Sequence, residues 1–164
     1  STKAAAELIA MSYFHSFRMP IVITRGNNVY GPGQYPEKLI PRFIQLLSEG
    51  KPVTIQGDGT AVRAFMHIED ATAAFVCVLD NGVAGEVYNL GCDDGHERSV
   101  RSVAESLIRR LRPSEDVSRW ITHVEDRPFN DKRYYISNAK LRAMGWVQTI
   151  DFDTGLDSLL SNNP

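Results

Sequence analysis

Cysteine is scarce in this chain: Cys77 and Cys92 are the only two in 164 residues. They share no metal-ligand spacing and form no disulfide framework, which points to a reducing, cytoplasmic setting. The four histidines, His15, His67, His96 and His123, are scattered, and none has ligand spacing with a cysteine or carboxylate. No metal site is expected from them. No apolar run approaches the roughly 20 residues of a membrane span, and no signal peptide is legible, so no membrane partner is expected. Charge of one sign is also lacking. A net charge of −2 provides no field for holding nucleic acid or an anionic surface. There is no G-x-S-x-G nucleophile turn, no Walker A loop and no glycine-rich dinucleotide loop. An initiator methionine is missing too. The chain starts within a helical pattern and reads as a piece of a longer polypeptide.

What is present is ordinary globular material, 43% apolar and 23% charged, of a size for one domain. Ala6, Ile9, Ala10, Tyr13, Phe14 and Phe17 recur at helical spacing and predict a first helix with one buried stripe. Pro20 follows it, and "IVITR" at 21–25 reads as a buried strand. The Gly-, Asn- and Pro-rich residues 26–36 read as a loop. Ile40, Phe43, Ile44 and Leu47 mark a second helix closed by Gly50. "PVTIQ" at 52–56 and "AFMHI" at 64–68 read as strands flanking the turn sequence "GDGT". Asp70 is expected to cap a third helix, "GEVYNLG" at 85–91 to be a strand, and Ser99 to cap a fourth helix. A strand at 120–124 and helical turns near 137–144 and 153–161 finish the chain. Helix and strand alternate, which predicts an α/β architecture.

Two stretches carry candidate chemistry. "TRGNNVYGPGQYPEKLIP" at 24–41 leaves a strand with Arg25, Asn27 and Asn28 and enters a helix near Lys38. Loops at the carboxyl ends of strands build the ligand crevices of α/β sheets, and amides with a nearby cation suit phosphate. Alternatively, Asn27 and Asn28 satisfy a tight turn through their own side chains. "DRPFNDKRYYIS" at 126–137 sets Arg127, Lys132 and Arg133 among carboxylates around a proline bend. The cluster is either a solvated salt-bridge network or a phosphate-facing fork built on Arg127. Arg63, just after the "GDGT" turn, is a third basic candidate.

Taken together, "STKAAAE", "TRGNNVYGPGQYPEKLIPRF", "IQGDGTAVRAFMHIEDATAAF", "GEVYNLG" and "EDRPFNDKRYYISNAKLRAMGW" resemble the second half of nucleotide-sugar 4,6-dehydratases. These belong to the extended short-chain dehydrogenase/reductase superfamily. The resemblance runs from Ser1 to about Gly155. R-x-x-N-x-Y-G-P, Arg25 to Pro32, occurs across many sugar-nucleotide enzymes, whereas P-E-K-L-I-P together with D-R-P-x-x-D-x-R-Y is narrower.

The resemblance implies an α/β fold made of the late Rossmann strands and helices plus the small substrate-binding subdomain. The chain would be one incomplete unit, residues 1–164, with the NAD-binding part upstream. Lys3 matches the lysine of Y-x-x-x-K, a catalytic and cofactor-binding residue that holds the NAD ribose and lowers the tyrosine's pKa. Asn28 matches a diphosphate contact, Lys38 and Leu39 match residues that line the nucleotide subsite, and Arg63 and Arg127 match the arginines that clamp the phosphates. Arg98 and Asn130 stand at further substrate-binding positions, where dTDP-glucose members often carry asparagine and histidine.

The implied reaction takes hydride from carbon 4 of the hexose onto NAD+, eliminates water across carbons 5 and 6, and returns the hydride to carbon 6. Its tyrosine would lie two positions before Ser1. The 164 residues are therefore expected to bind a dTDP- or UDP-sugar without turning it over. A homodimer is expected for the longer protein, through the first helix, and self-association for the chain alone. A related epimerase or decarboxylase, or a non-catalytic module binding nucleotide sugar or protein, remain alternatives.

Overall fold

The computed structural model describes residues 2–93, 95–128 and 132–161. Helix α1 (Thr2–Phe17) leads to strands β1 (Ile23–Gly26) and β2 (Asn28–Tyr30), then α2 (Leu39–Ser48). Strands β3 (Val53–Gln56) and β4 (Val62–His67) precede α3 (Ile68–Asn81), β5 (Val87–Leu90), β6 (Glu97–Ser99) and α4 (Val100–Leu111). A 3-10 turn (Val117–Trp120), β7 (Ile121–Val124), β8 (Arg133–Tyr134), α5 (Ala139–Ala143) and α6 (Phe152–Ser161) complete the order. The architecture is α/β with mostly parallel pairing: β1 with β5, β2 and β8 with β4, and β3 with β7, while β6 runs antiparallel to β4.

Strand β4 is the partition of the molecule. Its alternate side chains point to opposite faces. Phe65 enters a core made by α2, α4, α6 and β3, including Leu47, Ile55, Leu107 and Leu156. Ala64 and Met66 enter a second core with Ala74, Val78, Leu90, Leu141 and Trp146.

Four local expectations change. The apolar stripe of α1 is not buried: no residue of α1 is, and Leu8, Ile9, Tyr13 and Phe17 are exposed, Leu8 by 73%. The helix is held from one side, where Arg25 Nη2 lies 2.5 Å from Glu7 Oε2 and Phe14 covers Gly85, while Leu8, Ile9, Tyr13 and Phe17 stay exposed. Residues 28–30 are not loop but strand, because β4 offers them a parallel ladder and Tyr30 a buried site. Strands β3 and β4 are not partners across the "GDGT" turn. Gly57 and Gly59 take positive φ there while Asp58 Oδ1 accepts from the Thr60 N–H, and the two strands diverge to β7 and β2.

Asp70, finally, does not cap α3. His67 is the N-cap, its Nδ1 accepting from the Glu69 N–H at 3.4 Å, and Asp70 is buried inside the first turn. Ser99 does cap α4, accepting from the Ser102 N–H at 3.0 Å.

Candidate functional site

A cavity of about 580 Å³ opens between α2 and the strands. Register explains its polar wall. Asn28 of β2 sits opposite Phe65 of β4, and Arg63 lies two residues before Phe65, so the three share a face. On β3, Val53 and Ile55 are buried in the core while Thr54 and Gln56 face the cavity, with Val124 opposite Gln56. Helix α2 supplies Leu39, Arg42, Phe43 and Leu46, one stripe at helical spacing. Arg127, three residues beyond β7, closes the ring.

Of the residues singled out in the sequence, Asn28, Leu39, Arg63 and Arg127 meet at this cavity. They come from four separate segments. Asn27 and Asn28 divide the two readings of their motif between them: Asn27 Oδ1 accepts the Asn28 N–H at 3.1 Å, while Asn28 lines the cavity. Lys38 does not line it. It stands at the start of α2 with its ammonium 3.9 Å from Glu37. Arg98, opposite Arg63 in register, donates to the Gly95 and Glu97 carbonyls at 2.9 and 3.0 Å, and its guanidinium lies 5.6 Å from the Phe152 ring centroid. Lys3 is exposed in the first turn of α1, also outside the lining. Asn130 lies outside the described residues.

Four polar lining residues were not singled out by the sequence reading: Glu37, Arg42, Thr54 and Gln56. For the last three the signals were the period-two alternation of 53–56 and the three-residue step from Leu39 to Arg42. With Arg42, Arg63 and Arg127 against one lining carboxylate, Glu37, the cavity suits an anion. Its α2 wall is apolar enough to cover a ring. A larger groove of about 750 Å³ runs along α3 past Met144 and Trp146, but Glu69 is the one charged residue lining it, so it offers a phosphate nothing.

Below the cavity, burial first and the Asp151 carboxylate second push the Tyr30 phenol above its ordinary pKa, so it is a neutral donor, giving its proton to the Phe152 carbonyl at 3.2 Å. No group of three or more histidines, cysteines or carboxylates gathers for a metal among the described residues. No described helix is long and apolar enough to cross a membrane.

The chain is similar to known proteins along nearly its whole length. The chain is 45% identical over 156 residues to a trifunctional UDP-glucose 4,6-dehydratase/UDP-4-keto-6-deoxy-D-glucose 3,5-epimerase/UDP-4-keto-L-rhamnose-reductase of Arabidopsis thaliana, covering 95% of this chain and 23% of that protein. It is 40% identical over 159 residues to the dTDP-D-glucose 4,6-dehydratase of Homo sapiens, covering 95% of this chain and 45% of the relative. The chain thus spans less than half the length of these relatives. Among solved structures, the dTDP-glucose 4,6-dehydratase of Bacillus anthracis in complex with NAD superposes with a TM-score of 0.87 at 36% identity, over 97% of this chain and 49% of that one. The UDP-glucuronic acid 4-epimerase of Bacillus cereus, in complex with UDP-glucuronic acid and NAD, gives 0.87 at 28% identity, over 98% and 50%. A family model described as the NAD dependent epimerase/dehydratase family matches residues 1–91, more than half of the chain, and the chain belongs to that family.

Proposed function

We propose that these residues are the substrate-binding part of a nucleotide-sugar 4,6-dehydratase acting on UDP-glucose or dTDP-glucose. The observation that carries the reading is the meeting of Asn28, Leu39, Arg63 and Arg127 on one cavity with an excess of guanidinium groups. Arg63 and Arg127 give the diphosphate planar, charge-assisted donors, and the Asn28 carboxamide adds a neutral one. Leu39 and Phe43 supply an apolar face for the base, with Thr54 and Gln56 within the same cavity to meet its polar edge. Lys38, Arg98 and Asn130 stay in the proposed substrate set on the strength of the resemblance alone.

NAD, when bound, would accept hydride from carbon 4 of the hexose and give it back at carbon 6. This chain holds no glycine-rich loop for it. Its contribution is Lys3, whose ammonium makes no ion pair among the described residues and suits ribose hydroxyls and a neighbouring tyrosinate. The tyrosine, the acid–base pair for the elimination and the dinucleotide loop belong, in this reading, to a segment before Ser1. The longer protein pairs as a homodimer through α1, whose exposed Leu8, Ile9, Tyr13 and Phe17 favour a covered face.

The test is direct. The purified chain, given UDP-glucose or dTDP-glucose with NAD, should bind the sugar nucleotide and form no 4-keto sugar. Turnover would overturn the division of the active site. Failure to bind either nucleotide would overturn the function.

A further inference from the structure

The first turn of α6 lies against the wall of the cavity, although none of its residues was singled out by sequence. The Phe152 ring stands 5.5 Å from that of Phe65, a lining residue, and carries the Arg98 guanidinium on its face. Its carbonyl accepts the Tyr30 hydroxyl. Tyr30 belongs to β2, two residues from Asn28 and therefore on the same face of the strand, and its own ring meets Phe65 edge-on at 6.4 Å.

The fit at the hydroxyl is close. A Cβ placed on Gly155 would collide with the Tyr30 hydroxyl oxygen, would stand 2.9 Å from the ring carbon Cζ that bears it, and would stand 3.2 Å from His67 Cδ2. Only a glycine at 155 leaves the notch that admits the phenol. The helix is itself fixed. Asp151 accepts from the N–H groups of Asp153 and Thr154 at 3.0 and 3.1 Å, and Arg110 ties Asp153 and Asp157 to α4 at 2.8 and 2.6 Å.

We propose that Tyr30, seated in the Gly155 notch, is a positioning residue of the nucleotide cavity: it sets β2, and with it the Asn28 carboxamide and the Phe65 wall, for the diphosphate. This rests on the nucleotide-binding reading and extends it to a helix that touches no ligand. Residue 155 is thereby a determinant of nucleotide affinity.

The experiment titrates the full 164-residue chain with UDP and with dTDP and records thermal unfolding of each variant. Gly155→Ala should weaken binding about tenfold, and adding Tyr30→Phe, which removes the colliding oxygen but leaves the ring carbon close and gives up the bond to Phe152, should recover about threefold of that loss. In an Asn28→Ala background, Gly155→Ala should cost about twofold or less, because the two act through the same contact. A general structural defect predicts neither the rescue nor the coupling.

Should Gly155→Ala fail to fold, Tyr30→Phe alone decides. It keeps the ring, and the amides of residues 28–30 should exchange hydrogen faster while those of α6 stay unchanged. Unaltered binding by Gly155→Ala, absence of rescue, losses that multiply with Asn28→Ala, or unaltered exchange in Tyr30→Phe would overturn the proposal. If the unmodified chain binds neither nucleotide, the function reading falls with it. If that chain binds while the variants behave alike, only the positioning role falls.

Discussion

The Asp70 carboxylate is held by Thr149: Oδ1 accepts the Thr149 N–H at 2.9 Å and its hydroxyl at 2.7 Å, and Oδ2 takes the Ile150 N–H at 3.0 Å. Asp70 is 2% exposed. A charge buried this deeply persists only because donors surround it, and here they come from the segment that leads into α6. The pair therefore fastens α3 to the approach of the C-terminal helix, and so to the aromatic wall of the cavity.

Replacing Asp70 by alanine leaves two backbone N–H groups and the Thr149 hydroxyl, all in a part-buried setting, without their acceptor. The expected loss is about 3 kcal/mol of unfolding free energy, with Asp70→Asn recovering part of it because one carbonyl acceptor remains. Denaturant midpoints of the two variants check this. Equal stability of Asp70→Ala and the parent would remove Asp70 from the list of structural anchors.

Alkaline pH should destabilise the fold in two stages. Burial, with Asp70 and Asp93 adding repulsion, pushes the Cys92 thiol up to about 12, and burial pushes the Tyr30 phenol up as well. A group whose folded pKa is raised keeps its proton in the native state after the unfolded chain has lost it. Its contribution is complete below the unfolded pKa and is lost as pH rises toward the folded one. Stability should begin to fall near pH 9 by at most about 1.4 kcal/mol per pH unit from Cys92, and more steeply above about pH 10 where Tyr30 joins. Cys92→Ala should remove the first stage. A flat stability between pH 8 and 10 in the parent chain would contradict the assignment. The same burial leaves Cys92 unreactive to alkylating reagents in the native state, while half-buried Cys77 reacts first.

In the proposed function Gln56 meets the base and not the phosphates. Gln56→Ala should weaken UDP about three- to tenfold, the net value of a hydrogen bond or slightly more, and leave inorganic pyrophosphate unchanged. Parallel titrations with the two ligands measure this. Equal losses for both would move Gln56 to the phosphate end of the cavity.

The exposed face of α1 should make the chain self-associate. Sedimentation should show an apparent mass that rises with concentration, and Phe17→Glu or Leu8→Glu should return it to that of one chain. A monodisperse monomer at high concentration would contradict it.

Much of the architecture was written in local patterns. The stripe of α2 stayed buried where its periodicity put it, and Ser99 capped α4 because a hydroxyl before an apolar run satisfies free N–H groups wherever it occurs. Long-range pairing was not legible. Nothing within 26–36 says that residues 28–30 will find β4, because the ladder that makes them a strand lies 37 residues on at Phe65. Asp70 looked like a cap from its neighbours alone, and its true partners, Thr149 and Ile150, are remote. The stripe of α1 has the spacing of a buried face, and no residue of the helix is buried among the described residues.

The candidate site follows the same rule. Asn28, Leu39, Arg63 and Arg127 could be named through motifs, yet their meeting depends on the β2–β4 and β3–β7 registers. Arg42 and Gln56 lie within the stretches that carry the resemblance, but nothing there singled them or Thr54 out, and only the packing of α2 over the strands brings them in.

The measurement closest to the central claim is a calorimetric titration of the chain with UDP and dTDP, repeated with Arg127→Ala. Saturable one-to-one binding is expected, weakened in the variant by about 10- to 150-fold, or about 1.5–3 kcal/mol, as for a lost hydrogen bond to a charged group. Equal affinity of parent and Arg127→Ala chains would take Arg127 off the phosphate site and contradict the account.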